Sequence, residues 1–141
     1  MFCRILQGRE PACFVYRDDE VSAFMDIQPI NPGHVLIVPN RHAAGLAELN
    51  PVIGGQIFQS GQWIAAVLRK SSLRFESVNF FLADGRAAHQ EIFHMHLHVF
   101  PRYQGDGFKI KVGEQFDNKP ERSLLETQAL TLCRELEVPA E

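Results

Sequence analysis

Residues 94–102 read His-Met-His-Leu-His-Val-Phe-Pro-Arg, so three of the chain's six histidines alternate with apolar residues. Imidazole titrates near neutrality and can serve as base, nucleophile or metal ligand. On a β-strand successive side chains point to opposite faces. That sets His94, His96 and His98 on one face and Met95, Leu97 and Val99 on the other. The apolar face reads as core. The imidazole face is too polar to bury without partners.

Three readings fit such a row. The plainest is a polar strand face with no chemistry, which is far easier to hold for one histidine than for three. A zinc site is the second, because imidazole is a common zinc ligand. Geometry argues against all three sharing one ion: residues i and i+4 on a strand lie roughly 13 Å apart, and zinc takes its nitrogens at about 2 Å. The chain also lacks a His-Glu-x-x-His helix motif and a Cys-x-x-Cys pair. The third reading is nucleophilic catalysis. A neutral imidazole with one nitrogen free and the other held by an acceptor can attack phosphorus or an acyl carbon. His96, flanked on both sides, is the natural nucleophile.

The elements that must position these rings follow from patterning. Residues 13–17 and 20–26 read as two strands joined at Asp18-Asp19, a hairpin turn pair. Residues 34–38 are an apolar strand that stops at Pro39. Asn50-Pro51 is a helix start, and Ile53, Ile57, Gly61, Ile64 and Leu68 recur at helical spacing up to about residue 70. Strands are expected near 75–82 and 93–100, with a loop from Gly85 to Gln90 between them. After Pro120, residues 121–137 read as a helix with Leu125, Ala129, Leu132, Cys133 and Leu136 on one side. The expectation is an α+β fold: a five-stranded antiparallel sheet with one long inserted helix and a C-terminal helix. The domain occupies residues 1–110, and 111–141 form a C-terminal extension whose helix packs on it.

With 141 residues, one domain is the natural size. The composition is 45% hydrophobic and 22% charged, ordinary for a globular protein. A net charge of −3 supplies no electrostatic drive toward nucleic acid or an anionic membrane. No apolar run is long enough for a transmembrane helix, and Met-Phe-Cys-Arg lacks a signal-peptide core. Three widely spaced cysteines suggest free thiols in a reducing, cytoplasmic setting. Cys13 and Cys133 read as apolar packing residues.

The His-x-His-x-His-x-x pattern with apolar residues at each x resembles the signature of the histidine triad superfamily of nucleotide hydrolases and transferases. Residues 24–39, Phe-Met-Asp-Ile-Gln-Pro-Ile-Asn-Pro-Gly-His-Val-Leu-Ile-Val-Pro, resemble its upstream block, and Asn40-Arg41-His42 continue it. Residues 103–108, Tyr-Gln-Gly-Asp-Gly-Phe, are similar to the tail after the triad in bacterial members. The resemblance covers roughly residues 2–108. It implies a homodimer with a ten-stranded sheet and attack of the middle histidine on a nucleotide α-phosphate, through a covalent nucleotidyl-histidine. His96 matches that nucleophile. His98 would bond a phosphate oxygen or aid the leaving group. His94 would fix the His96 tautomer through its carbonyl and pair with His34. Asp26 matches a ribose-binding carboxylate. Phe24, Ile27, Phe2 and Ile5 align with the apolar slot for a purine base, and Gln90 matches a common substrate-side glutamine. No cofactor is required, with room for a divalent cation carried in on a polyphosphate.

The chain departs from the family pattern in places. Ala83 stands where many members carry Asn or Gln, and His89 where a small residue is frequent, with Arg86 nearby. Some bacterial members bind structural zinc with two cysteines, a histidine at the position of His42 and the first triad histidine. Here only Cys3 matches a cysteine, which argues against a full site; whether Cys3, His42 and His94 keep a partial set stays open. Candidate substrates are dinucleoside polyphosphates, adenosine phosphoramidates and acyl adenylates. The rival readings are a non-catalytic nucleotide-binding or adaptor protein and a zinc-dependent hydrolase.

Overall fold

The computed structural model describes residues 1–136. Contacts divide the chain into two compact units, Met1–Gly107 and the residues from Phe108 onward. The first unit holds a short helix α1 (Phe2–Leu6), strands β1 (Phe14–Arg17), β2 (Val21–Met25) and β3 (Val35–Pro39), helix α2 (Pro51–Lys70), and strands β4 (Ser77–Leu82) and β5 (Leu97–Arg102). The second holds helix α3 (Arg122–Leu136). All four strand pairs are antiparallel, in the order β1-β2-β3-β5-β4. The expected five-stranded α+β architecture is therefore present.

Local chemistry explains the joints. At the first hairpin, Asp18 Oδ1 accepts from the backbone N–H groups of Glu20 and Val21, both at 2.8 Å. At the start of α2, Asn50 Oδ1 accepts the Val52 N–H at 2.9 Å and Pro51 opens the first turn. Such a cap satisfies one of the N–H groups that a helix leaves unpaired. The apolar stripe of α2 buries Ile57, Gly61, Ile64 and Leu68. It packs against Val35, Ile37, Met95, Leu97 and Val99 on one face of the sheet. Met95, Leu97 and Val99 thus point into the core, as alternation requires. On the other face, Phe2 and Ile5 of α1 pack on Phe24, Leu36 and Val38.

Two expectations need correction, and one element escapes the pattern reading. β5 begins at Leu97, so His94 and His96 precede the regular ladder. They run beside the 42–44 loop, where the Met95 N–H bonds the Ala43 carbonyl at 2.7 Å. The helix α1, five residues long, is too short for periodicity to reveal. Cys13 and Cys133 are exposed, not packing residues. In α3, Leu125, Ala129, Leu132 and Leu136 are exposed as well.

Gly61 sets the distance between α2 and the sheet. A Cβ there would lie 2.9 Å from Cε2 of Phe80 and 3.4 Å from Cδ2 of Leu97. Gly61→Val should therefore destabilise the protein by roughly 1–3 kcal/mol, read from urea denaturation. A variant as stable as the parent would mean that this contact does not set the spacing.

Candidate active site

The histidine face is the sheet face opposite α2, and hydrogen-bond partners fix each ring. His94 is buried, and its Nε2 lies 2.8 Å from the Pro39 carbonyl. A carbonyl only accepts, so Nε2 carries the proton and Nδ1 keeps its lone pair. The backbone carbonyl of His94 takes the Nδ1–H of His96 at 2.8 Å. That leaves the lone pair of a neutral His96 on Nε2. Among the described residues no atom bonds this nitrogen, and every buried side-chain nitrogen or oxygen has a partner. His96 Nε2 therefore opens to solvent. Phe2 stands edge-on to the His96 ring at 5.1 Å.

The other end of the row is a second chain of bonds. The Ile30 N–H donates to His34 Nδ1 at 3.0 Å. His34 must then carry its proton on Nε2, which donates to His98 Nδ1 at 2.9 Å. His98 in turn carries its own proton on Nε2. His34 thus pairs with His98 and not with His94, contrary to expectation. Register is the reason: Leu36 lies opposite His98 and Val35 opposite Val99, which sets residue 34 at that end of β5. Asp26 Oδ2 lies 3.5 Å from His34 Nε2 and 4.0 Å from His98 Nδ1, while its Oδ1 accepts the Gln28 N–H at 2.8 Å. Asp26, His34 and His98 are close enough to suggest a metal site. The proton on His34 Nε2 argues against one, since a ligand nitrogen needs its lone pair.

Burial pushes the pKa of His98 down to about 4, reinforced by His96 and His34 and opposed by Asp26. Burial likewise lowers His34, again opposed by Asp26. Both rings are neutral at physiological pH, and His98 acts as a neutral N–H donor.

Beyond His94 a third cluster forms. Cys3 Sγ lies 3.4 Å from His42 Nδ1 and 3.4 Å from His94 Nδ1, and the two nitrogens are 3.3 Å apart. Tetrahedral zinc spaces sulfur and nitrogen donors by about 3.3–3.6 Å. With His94 Nε2 committed to Pro39, the free lone pair of His94 faces the other two donors. The three residues fit a zinc ion with one position left for a further ligand.

The remaining predicted residues fall in different places. Phe2, Ile5 and Phe24 are buried in the packed cluster beside the histidines, whereas Ile27 is 91% exposed. Gln90 is buried, and its amide is committed to backbone: Oε1 accepts from Gly85, and Nε2 donates to the Ala44 and Ile92 carbonyls. It braces the loops around the site. Sequence reasoning missed the Ile30 N–H, since a backbone donor has no residue-type signature. It also missed Asn31, Arg102 and Asp106, which meet from distant parts of the chain.

The HIT domain model matches residues 7–105. An uncharacterized HIT-like protein of Methanocaldococcus jannaschii is 40% identical over 114 residues, 81% of this chain and 87% of its own. The adenylylsulfatase HINT3 of Arabidopsis thaliana is 33% identical over 106 residues, 75% of this chain and 53% of its own. A HIT family protein from Bacillus anthracis superposes with a TM-score of 0.87 at 30% identity, covering 96% of this chain and 95% of that one. A zinc-bound histidine triad family protein from Mycobacterium smegmatis does so with 0.74 at 33% identity, covering 96% of each. An antiparallel sheet that carries a row of backbone-oriented histidines, with this degree of likeness, defines the class: the chain belongs to the HIT family. A nucleotide-binding or nucleotide-hydrolase kind of function comes with that membership. No helix among the described residues is long and apolar enough to cross a membrane.

The depressed pKa values set an acid limit on stability. An unfolded chain protonates His34 and His98 near pH 6.5, but the folded protein resists, in His98 down to about 4. Stability present above pH 6.5 is therefore lost as pH falls toward 4. The thermal midpoint should drop across that window, and His98→Gln should flatten the slope. Equal slopes for both proteins would contradict this account of His98.

Proposed function

We propose that the protein hydrolyses nucleotides at the α-phosphate through a covalent intermediate on His96. The observation that carries this reading is the bond from His96 Nδ1–H to the His94 carbonyl at 2.8 Å, which leaves Nε2 as an open nucleophile. Its lone pair forms a P–N bond to the α-phosphorus. The bond from phosphorus to the leaving group breaks, and the leaving group departs with the electron pair. The proton stays on His96 Nδ1, hydrogen-bonded to the His94 carbonyl, which favours the imidazolium-like charge of the adduct. Water then attacks phosphorus and loses a proton to bulk solvent, and the P–N electrons return to Nε2, regenerating neutral His96 and releasing a nucleoside monophosphate. His98 offers its Nε2–H to a non-bridging oxygen. Being neutral down to about pH 4, it serves as a donor throughout and not as an acid.

Asp26 holds the ribose hydroxyls. Ile27 covers a purine base above a floor of Phe24, Phe2 and Ile5. Dinucleoside polyphosphates, nucleoside phosphoramidates and acyl adenylates all carry the required α-phosphate, and the Arabidopsis relative, an adenylylsulfatase, is named for another adenylyl anhydride. A second copy completes a cytoplasmic homodimer against edge strand β4 and the exposed Phe58 of α2, which stands edge-on to Phe80 of that strand.

Intact-protein mass spectrometry after brief mixing with an adenosine phosphoramidate or a diadenosine polyphosphate tests the reading. A transient gain matching AMP should appear in the wild type and be absent in His96→Ala. AMP release by the variant at the wild-type rate would rule out the nucleophile. Absence of both adduct and release in the wild type would favour a non-catalytic nucleotide-binding protein. Asp26→Ala should raise KM more for ribonucleotides than for 2′-deoxy analogues, and equal effects would remove its ribose role.

One observation adds a metal to this picture. Cys3, His42 and His94 would hold a structural zinc ion that ties α1 to the approach of β5 and lends rigidity to the His94 carbonyl. Elemental analysis should find about one zinc per chain. Cys3→Ser should lose it, with a thermal midpoint lower by several degrees. Zinc content unchanged in Cys3→Ser would place the metal elsewhere.

A further inference from the structure

The loop from Asp26 to His34 carries three groups of the site: the Asp26 carboxylate, the Ile30 N–H and the His34 ring. Within the loop, the Asp26 N–H bonds the His34 carbonyl at 3.0 Å and the His34 N–H bonds the Asn31 carbonyl at 3.1 Å. Single bonds of this kind contribute about 1 kcal/mol each, which is little to hold a loop in one conformation. A buried cluster outside the loop adds to them. The Asn31 side-chain amide donates to the Pro101 carbonyl and to Asp106 Oδ2, both at 2.9 Å. Asp106, only 3% exposed at its side chain, accepts from Arg102 Nε at 2.6 Å and Arg102 Nη2 at 3.1 Å. Arg102 Nη1 reaches Asn79 Oδ1 on β4 at 2.7 Å. A bidentate arginine–carboxylate pair is among the strongest and most directional contacts available to side chains.

This cluster fixes residue 31, one position after the N–H that decides the His34 tautomer. The His34–His98 bond can run in two directions. With a proton on His34 Nε2, His98 carries its own on Nε2. With the direction reversed, His98 holds its proton on Nδ1 against His34, and its Nε2 becomes a lone pair that repels a phosphate oxygen. Asp26 lies near both bridging nitrogens and does not choose between them. The Ile30 N–H does choose, because it needs a lone pair on His34 Nδ1.

We propose that Asn31, Asp106 and Arg102 are positioning residues for the reaction. They hold the Ile30 N–H on His34 and so keep the proton of His98 on Nε2, where it can meet the substrate phosphate. The kinetic side of this assignment rests on the hydrolase reading. The proton positions do not, and they are measurable without substrate.

The test is a pair of measurements on full-length wild type and Asn31→Ala. Long-range proton–nitrogen correlation spectra of the imidazole rings report which nitrogen carries each proton. The wild type should show His34 and His98 as Nε2–H forms alone. Folded Asn31→Ala should add an Nδ1–H form of His98, with kcat lower by about tenfold, the scale typical of residues that orient reacting groups, and KM changed less than twofold. A single Nε2–H form retained in the folded variant, or an unchanged kcat, would overturn the proposal. Should Asn31→Ala not fold, Asp106→Asn loosens the same cluster by removing its charge, and the same two results decide. If the wild type shows no turnover, the hydrolase reading fails while the spectra alone decide the role of the cluster in holding the proton.

Discussion

A buried neutral imidazole has one nitrogen that must give a hydrogen bond and one that must receive it. His34, His94 and His96 are buried on one face of this sheet, with His98 beside them. Rings packed against rings could settle into several proton arrangements of similar energy. Three backbone groups that each have one possible role remove that freedom. The carbonyls of Pro39 and His94 can only accept, and the N–H of Ile30 can only donate. The nucleophilic lone pair on His96 and the donor proton on His98 both follow from these assignments.

None of the three groups lies within a regular helix, and only Pro39 lies in a strand, at its last residue. The irregular segments beside β3 and β5 are therefore what the site depends on. Gln90 braces two of them, reaching from the 85–92 loop to the Ala44 carbonyl. Gly33 serves a third. Its φ of +97° suits glycine, and a Cβ would meet Leu68 and Leu73 at 3.1 Å and Pro101 at 3.2 Å. The loop that carries His34 is thereby pressed onto the end of α2 and the end of β5. The two apolar clusters on opposite faces of the sheet hold the strands, and these braces hold the loops against them.

Much of this was readable from residue order. Strand alternation put the histidines on one face, and a helical stripe with an Asn-Pro start located α2 within a residue. The Pro-Gly-His segment marked His34. What could not be read was pairing across distance. His34 meets His98 because of strand register, which depends on the irregular approach of residues 94–96. Gln90 carried a plausible polar side chain near the triad, but its burial against backbone is a property of the folded loops. Asp106 and Asn31 are separated by 75 positions, and nothing in either segment's composition announces the other. The exposure of Cys13 likewise follows from its place just before edge strand β1, not from the residue type.

The two ends of the histidine row have the same residue types and opposite chemistry. At the His94 end, Nε2 is spent on a carbonyl, so a lone pair faces Cys3 and His42, and three donor atoms converge. At the His34 end, Nδ1 is spent on an N–H, so a proton faces His98 and the contacts alternate donor with acceptor. A cation suits the first arrangement, because its charge compensates converging lone pairs that otherwise repel. A cation is a poor fit for the second, where it would have to displace a proton already shared by two rings and break the Ile30 bond. The nearby Asp26 carboxylate does not reverse this, since its charge already offsets part of the cost of the bridging N–H dipoles. His96 lies between the two, tied by its Nδ1 to the metal-fitting end and set edge-to-face at 4.8 Å on the donor end. Its remaining nitrogen is left for substrate, with a rigid acceptor behind it and a neutral donor beside it.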